Sequence, residues 1–315
     1  MNLATGQGCG EDFARARALH GLLLADKPPG PTSADVVARV RRVARERRIG
    51  HTGTLDPFAS GLLVLVVGRG TRLSAFVCEY EKEYRVRGRL GVVTDTRDRT
   101  GKIVGGSDPA GVEEAALVAS LAPFRGEILQ TPPLFSARKV AGRRLHEIAR
   151  EGGEVALLPV RVRIDRLDLM AFEPPEFVLD VRCSKGTYVR SLVHDLGLVL
   201  GCGATAVELA RTAVGPFRLQ DAARLEDFRD EESVRARLLP LASALPDWPV
   251  AWVTTEGALE IRQGRPLRPG MTAREEGVAP GLRVRVLAPS GELLALAWWE
   301  AGGDVLARPF RVFPC

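Results

Sequence analysis

The chain has 315 residues, 45% of them hydrophobic and 26% charged, with a formal net charge of +5. That length allows one large or two ordinary domains, each able to close a packed core. No apolar run reaches the ~18 residues of a membrane helix, and the moderate basic excess suits a polyanionic partner.

The N-terminus carries Glu11 and Asp12 and no apolar h-region, so no signal peptide is expected, and residues 1–19 read as a loosely held tail or short helix. Val36, Val40 and Val43 recur at helical spacing. They predict a helix with one core face and an arginine face carrying Arg39, Arg41, Arg42, Arg45, Arg47 and Arg48. Residues 50–57, Gly-His-Thr-Gly-Thr-Leu-Asp-Pro, form a loop bounded by glycine and proline, and the apolar run 62–67 behind them reads as a buried strand. An aspartate fixed at such a junction, Asp56, is where a nucleophile or general base could sit; capping a turn is the plainer role for a loop aspartate.

Residues 83–90 alternate, with Tyr84, Val86 and Leu90 on one face and Arg85, Arg87 and Arg89 on the other. Residues 94–101 are polar and turn-rich and read as a hairpin connection, in which Asp95 and Asp98 are expected to be solvated turn carboxylates. Residues 115–121 read as a helix. Phe177, Leu179, Val181 and Cys183 alternate as a strand, and a helix is expected from Thr187 as N-cap to a stop at Gly197. Prolines 240, 246 and 249 punctuate a boundary. Beyond it Leu282, Val284 and Val286 alternate with arginines, residues 289–292 make a hairpin turn into a strand over 293–299, and Val312 and Phe313 close the chain.

Five cysteines without Cys-x-x-Cys spacing read as free thiols in a reducing cytosol, which makes the cytoplasm the expected location. The four histidines include no His-x-x-x-His pair, so neither a metal nor a cofactor is expected. Irregular alternation of strands and helices points to an α+β sheet domain.

The 50–57 octapeptide resembles the catalytic motif of the TruB family of tRNA pseudouridine-55 synthases. Further segments similar to that family follow in order: Asp26-Lys27-Pro28-Pro29-Gly30-Pro31-Thr32-Ser33, Lys82-Glu83-Tyr84-Arg85, residues 91–98, Gln130-Thr131-Pro132-Pro133 with Ser136-Ala137-Arg138-Lys139, and residues 183–192. Ordered matches over about two thirds of the chain are far more specific than one motif. The resemblance implies a mixed, largely antiparallel central sheet with flanking helices (the pseudouridine synthase fold) over residues 20–245. It also implies a small β-barrel-like PUA domain over 246–315.

By the same resemblance Asp56 is the catalytic carboxylate and Arg190 its ion-pair partner, while Tyr84 stacks on a flipped base. Tyr188 and Leu209 would complete the pocket, His51 would fill space in the RNA loop, and Lys27 and Pro28 would shape the wall. The chain departs from the family pattern at Ala210, where paired arginines are usual, and at Phe58, Phe135 and His146. The partner implied is tRNA, at its T-arm and T-loop, with no obligatory protein partner and no membrane. Two other readings stand beside isomerisation of uridine 55. One is a guide-RNA-dependent enzyme acting on ribosomal RNA. The other is an RNA-binding protein that promotes tRNA folding.

Overall fold

A computed structural model describes residues 18–133, 139–140, 143–144 and 158–314. Phe135, Ser136, Ala137, Arg138 and His146, and nearly all of the expected N-terminal tail, lie outside the described residues.

The chain opens with β1 (Gly21–Lys27), α1 (Ser33–Ala44), β2 (Ile49–His51), β3 (Ser60–Val67), the single helical turn α2 (Ser74–Val77) and β4 (Lys82–Leu90). There follow β5 (Val93–Thr94), β6 (Ile103–Gly105), α3 (Glu114–Ser120), β7 (Gly126–Gln130), β8 (Lys139–Val140), β9 (Arg143–Arg144), β10 (Val160–Glu173), β11 (Glu176–Cys183) and α4 (Val189–Val199). The next elements are β12 (Ala204–Val214), β13 (Phe217–Arg218), β14 (Ala223–Arg224), α5 (Glu231–Arg235), β15 (Val250–Val253) and α6 (Thr255–Arg262). Strands β16 (Thr272–Glu276), β17 (Arg283–Leu287), β18 (Leu293–Gly302) and β19 (Val305–Val312) end the chain.

A ten-stranded mixed sheet runs β14-β1-β3-β12-β4-β11-β10-β7, with β2 on β3 and β13 on β12. Only the β1–β14 and β3–β12 pairings are parallel, so the sheet is largely antiparallel, as expected. Strand β3 is buried on both faces, which is why it reads as unbroken Leu and Val. Leu63, Leu65 and Val67 pack with Val36, Val37 and Val40 of α1, while Leu62 and Val64 enter a second core on the other face. A third core joins β4, β10 and β11 to α3 and α4.

Helix α1 starts at a reciprocal cap, in which the Thr32 backbone N–H donates to Asp35 and the Asp35 N–H donates to the Thr32 hydroxyl. It stops at Arg45, in the left-handed region, so Arg45, Arg47 and Arg48 extend the basic surface from a loop rather than from the helix. Two boundaries at α4 also differ from expectation. Tyr188 is the N-cap, and the Thr187 hydroxyl instead closes the preceding turn on the Ser184 carbonyl. The helix passes through Gly197 to Val199; that glycine serves close packing, since a Cβ there would lie 2.1 Å from the Ala204 nitrogen of β12.

The five C-terminal strands form an open sheet, β16-β15-β17-β18-β19. Its edge strands β16 and β19 do not pair with each other among the described residues, so the expected barrel is not closed. One face of this sheet supplies Val250, Leu287 and Leu296, with Phe313 just beyond it, to the core that holds Leu22, Leu24, Leu62 and Val64. Arg285 fastens the connection by donating to the carbonyls of Ala242, Pro246 and Trp248 at 2.9–3.1 Å.

Candidate active site

The loop between β2 and β3 carries Asp56, and three chain segments hold that loop. From the start of α1 and the loop before it, the Ser33 hydroxyl donates to the Leu55 carbonyl and accepts from the Leu55 N–H at 2.8 Å, and the Gly30 N–H donates to the Pro57 carbonyl at 2.7 Å. Lys27, fully buried, donates to the carbonyls of Pro28, Pro31 and Pro57 at 2.9–3.3 Å and ties the two loops together. From β12, Arg211 donates to carbonyls of Gly53, Thr54 and Leu62. Thus the proline-rich opening segment is a brace for the aspartate loop.

Arg190, in the first turn of α4 and 3% exposed, meets Asp56 in a two-pronged contact. Its Nε lies 2.8 Å from Asp56 Oδ2 and its Nη2 donates to Oδ1 at 3.1 Å. This planar fork is the geometry a guanidinium offers a carboxylate. The other side of Arg190 is held by Asp98, whose Oδ2 accepts from Nη1 at 3.0 Å, and by the Thr96 carbonyl at 2.7 Å. Asp98 is buried, and its Oδ1 accepts from the Thr96 hydroxyl and from the Thr100 N–H, each at 2.9 Å. It is therefore not the solvated turn carboxylate expected from sequence. The 94–101 turn folds inward because Thr94 hydrogen-bonds Thr205 of β12 and the Arg99 N–H donates to Ala206 of the same strand.

Gln130, at the end of β7, accepts from the Tyr188 N–H at 2.7 Å and donates to the Tyr188 carbonyl at 3.1 Å. It thereby fixes the N-terminus of α4, and with it Arg190. These clamps explain why scattered motifs converge on one helix end.

Asp56, Tyr84, Tyr188, Arg190 and Leu209 line one cavity of about 470 Å³, together with Lys82, Cys78, Arg211 and the 184–187 turn. Lys27, Pro28 and His51 are outside that lining: Pro28 is exposed, Lys27 sits beneath the loop, and half-buried His51 accepts from the Gly53 N–H at 3.4 Å. Burial raises the Asp56 carboxyl above the ordinary carboxylate range, and the Arg190 guanidinium is the main influence opposing it. Burial likewise raises the Tyr84 phenol, with Arg211 pulling the other way, so the phenol is un-ionised at neutral pH. Lys82, whose Nζ donates to the carbonyls of Cys78 and Tyr80, is pushed down to about 8 by burial and then by Arg211. Among the described residues no cluster of three or more His, Cys, Asp or Glu could hold a metal ion.

Asp98, Gln130 and Lys82 are not among the expected site residues although each lies in a family-like segment, and neither is Arg211, which adjoins the departure at Ala210. The available signals are the polar density of residues 94–98 and the placement of the scarce lysines, all but Lys102, inside those segments.

A carboxylate forked by arginine, facing a half-buried tyrosine in a cavity on a mixed sheet, can attack or stabilise an electron-poor carbon beside a stacked ring. Comparison with known proteins narrows this arrangement to the pseudouridylate synthases. Residues 41–189 match the TruB family pseudouridylate synthase N-terminal domain, and residues 190–246 match the tRNA pseudouridylate synthase B C-terminal domain. The chain is 41% identical over 308 residues to the tRNA pseudouridine synthase B of Syntrophobacter fumaroxidans, covering 95% of this chain and 99% of that one. It is also 41% identical over 287 residues to the same enzyme of Thermotoga maritima, covering 91% and 92%. The chain belongs to the TruB family.

Among solved structures it resembles one chain of an H/ACA ribonucleoprotein bound to a substrate RNA containing 2′-deoxyuridine. The TM-score is 0.73 at 25% identity, over 96% of this chain and 87% of that one. A chain of a Cbf5–Nop10–Gar1 complex gives 0.73 at 27% identity, over 95% and 87%.

Proposed function

We propose that this protein isomerises uridine 55 in the T-loop of tRNA to pseudouridine, with Asp56 as nucleophile. The observation that carries the reading is the Arg190 fork on Asp56 inside the Tyr84–Tyr188–Leu209 cavity. The reaction breaks the N1–C1′ bond, turns the uracil and rejoins it through C5; the C5 proton leaves and N1 gains one. The change is redox-neutral and needs no external energy source. A uridine in folded RNA reaches such a cavity only by flipping out of its stack.

Asp56 acts on the sugar–base bond in the manner of the second carboxylate of glycosidases, by stabilising positive charge at C1′ or by covalent attack. Arg190 keeps it ionised in the half-buried site. Tyr84 stacks on the extruded ring, a contact worth about 1–3 kcal/mol for a base. Tyr188 and Leu209 close the cavity, and His51 and Pro28, outside it, face the RNA around the flipped nucleotide. The exposed arginines of α1 and the following loop take backbone phosphates. Residues 20–245 form the catalytic domain, and the open C-terminal sheet over 246–315 serves as a PUA-like RNA-binding unit. The cytoplasm, where tRNA is processed, is the site of action.

Identity favours this reading over a guide-RNA-dependent enzyme: 41% to two enzymes named tRNA pseudouridine synthase B, against 25–27% to chains of the H/ACA and Cbf5 assemblies. The test is pseudouridine formation in unmodified tRNA transcript, mapped by position, for wild type and Asp56→Asn. Product confined to position 55 and lost in the variant, with tRNA binding kept, is the expected result. Tight tRNA binding without product in the wild type would instead assign the protein a folding role.

A further inference from the structure

Among the described residues only two other than glycine have a positive φ, Arg45 and Arg97. Arg45 ends α1, where a left-handed residue is a common stop. Arg97, with φ +61°, is at no helix end; it stands in the turn between β5 and β6, flanked by Thr96 and Asp98. A side-chain-bearing residue persists in that region only where its surroundings over-determine it.

The Arg97 N–H donates to the Thr94 carbonyl at 3.1 Å, and the Arg97 carbonyl accepts from the Ala206 N–H of β12 at 3.2 Å. The kink brings both neighbours of Arg97 to bear on one atom. The Thr96 carbonyl, at 2.7 Å, and Asp98 Oδ2, at 3.0 Å, both accept from Arg190 Nη1. In the opposite direction, half-buried Arg97 reaches from the turn to α4. Its Nη1 donates to the Ser191 hydroxyl at 2.6 Å and to the Thr131 carbonyl at 3.1 Å. Ser191 is fully buried, follows Arg190 directly and donates to the same Thr131 carbonyl at 3.1 Å. Three consecutive turn residues, 96–98, thus interlock with two consecutive helix residues, 190–191, through arginines that cross in opposite directions.

We propose that Arg97 is a positioning residue: it pins the 96–98 turn to α4 so that Arg190 is held in its two-pronged contact with Asp56. The proposal rests on the pseudouridine-forming reading above and adds to it the side chain that sets the nucleophile's partner. Because one nitrogen makes both Arg97 contacts, a lysine ammonium with its three donors can stand in for it. Glycine adopts the same φ without strain, so Arg97→Gly removes the side chain and spares the backbone of the turn.

The test compares wild type, Arg97→Gly and Arg97→Lys in single-turnover pseudouridine formation across pH, in tRNA binding and in thermal denaturation. Arg97→Gly is expected to lose about 10²-fold in turnover, the loss that a misplacement of about 1 Å brings, with tRNA affinity nearly unchanged. The acid limb of its pH profile should move to higher pH, because a loosened Arg190 holds Asp56 ionised less firmly against burial. The other charges around Asp56, namely Lys27, Lys82, Asp98 and Arg211, are the same in all three proteins. A turn that only stabilised the fold would lower Tm without moving that limb. Arg97→Lys should restore both turnover and limb. Wild-type turnover or an unmoved limb in Arg97→Gly overturns the proposal, and so does a lysine variant as impaired as the glycine one. Should Arg97→Gly not fold, Ser191→Ala removes the acceptor from the helix side: an acid limb at higher pH supports the proposal and the wild-type limb refutes it. If the wild type forms no pseudouridine, the underlying reading fails, and the 13Cγ signal of Asp56, assigned from Asp56→Asn, still decides. It titrates at higher pH in Arg97→Gly than in wild type if Arg97 positions Arg190, and at the same pH if it does not.

Discussion

Replacing Asp98 by asparagine tests whether the second carboxylate holds the first. Its Oδ1 accepts from the Thr96 hydroxyl and the Thr100 N–H, each at 2.9 Å, and from the Thr100 hydroxyl at 2.5 Å; Oδ2 takes Arg190 at 3.0 Å. Asparagine keeps the shape but fails in either orientation. With its oxygen toward the threonines, its amide nitrogen faces the Arg190 N–H, donor against donor; flipped, it loses the threonine bonds. Removing one partner of a buried ion pair costs about 3–5 kcal/mol. Arg190 retains Asp56 and the Thr96 carbonyl, which puts the loss near the lower end, about 3 kcal/mol. At about 2–4 °C per kcal/mol, Tm should fall by about 6–12 °C. Arg190 then loses its tether to the 98–100 turn, and a displacement of about 1 Å should lower turnover by about 10²-fold. Thermal denaturation and single-turnover pseudouridine formation read the two effects. A variant with unchanged Tm and turnover would show that Asp98 neither anchors Arg190 nor supports the fold.

Three further outcomes are expected. Gly61→Ala should destabilise the protein by about 3 kcal/mol or more, because the residue is in a left-handed conformation and abuts the Arg211 backbone; urea unfolding measures it, and wild-type stability would refute the close approach. Burial pushes both Lys27 and Lys82 down to about 8 from 10.5. Between these values the unfolded chain binds protons that the folded one has released, so stability should rise with pH above about 8, by about 1.4 kcal/mol per unit per lysine at most; a flat urea-derived stability between pH 8 and 9.5 would count against it. Arg42→Gln, in the exposed face of α1, should weaken tRNA binding at low salt and reduce the salt slope of log K by about 1, while turnover at saturating tRNA stays as in wild type; an unchanged slope would remove that face from the phosphate path.

The sequence made some of this legible and hid the rest for physical reasons. Strand β3 could be read because burial on both faces demands an unbroken apolar run, and β4 because its alternation separates Tyr84, Val86 and Leu90 from the arginine face. Asp56 and Arg190 could be named as a pair because each sits in a quoted segment. Asp98 differs from expectation because a turn rich in Thr, Asp and Gly looks solvent-facing, and only the pairing with β12 through Thr205 and Ala206 folds it inward. Arg211, beside Ala210, gives no signal of its own, because local sequence does not reveal that one β12 position adjoins both Gly61 and Tyr84. The C-terminal strands were legible as strands, but closure of a barrel is set by edge pairing, which alternation alone does not encode.

Around the candidate site the buried cations outnumber the carboxylates. Lys27, Lys82, Arg190 and Arg211 are all nearly inaccessible, against Asp56 and Asp98. Arg190 takes both carboxylates, and the other three are satisfied by backbone carbonyls: Lys27 by those of Pro28, Pro31 and Pro57, Lys82 by those of Cys78 and Tyr80, Arg211 by those of Gly53, Thr54 and Leu62. Each therefore staples a loop without cancelling its charge, which a hydroxyl or amide in the same place could do only without the positive field. That uncancelled charge acts over the cavity mouth through low-dielectric surroundings, where it is screened little. A neutral substrate would gain nothing from such an arrangement. Under the proposed function, a flipped nucleotide would bring its flanking phosphates into this positive field, and the same cations that shape the loop would offset its repulsion by Asp56.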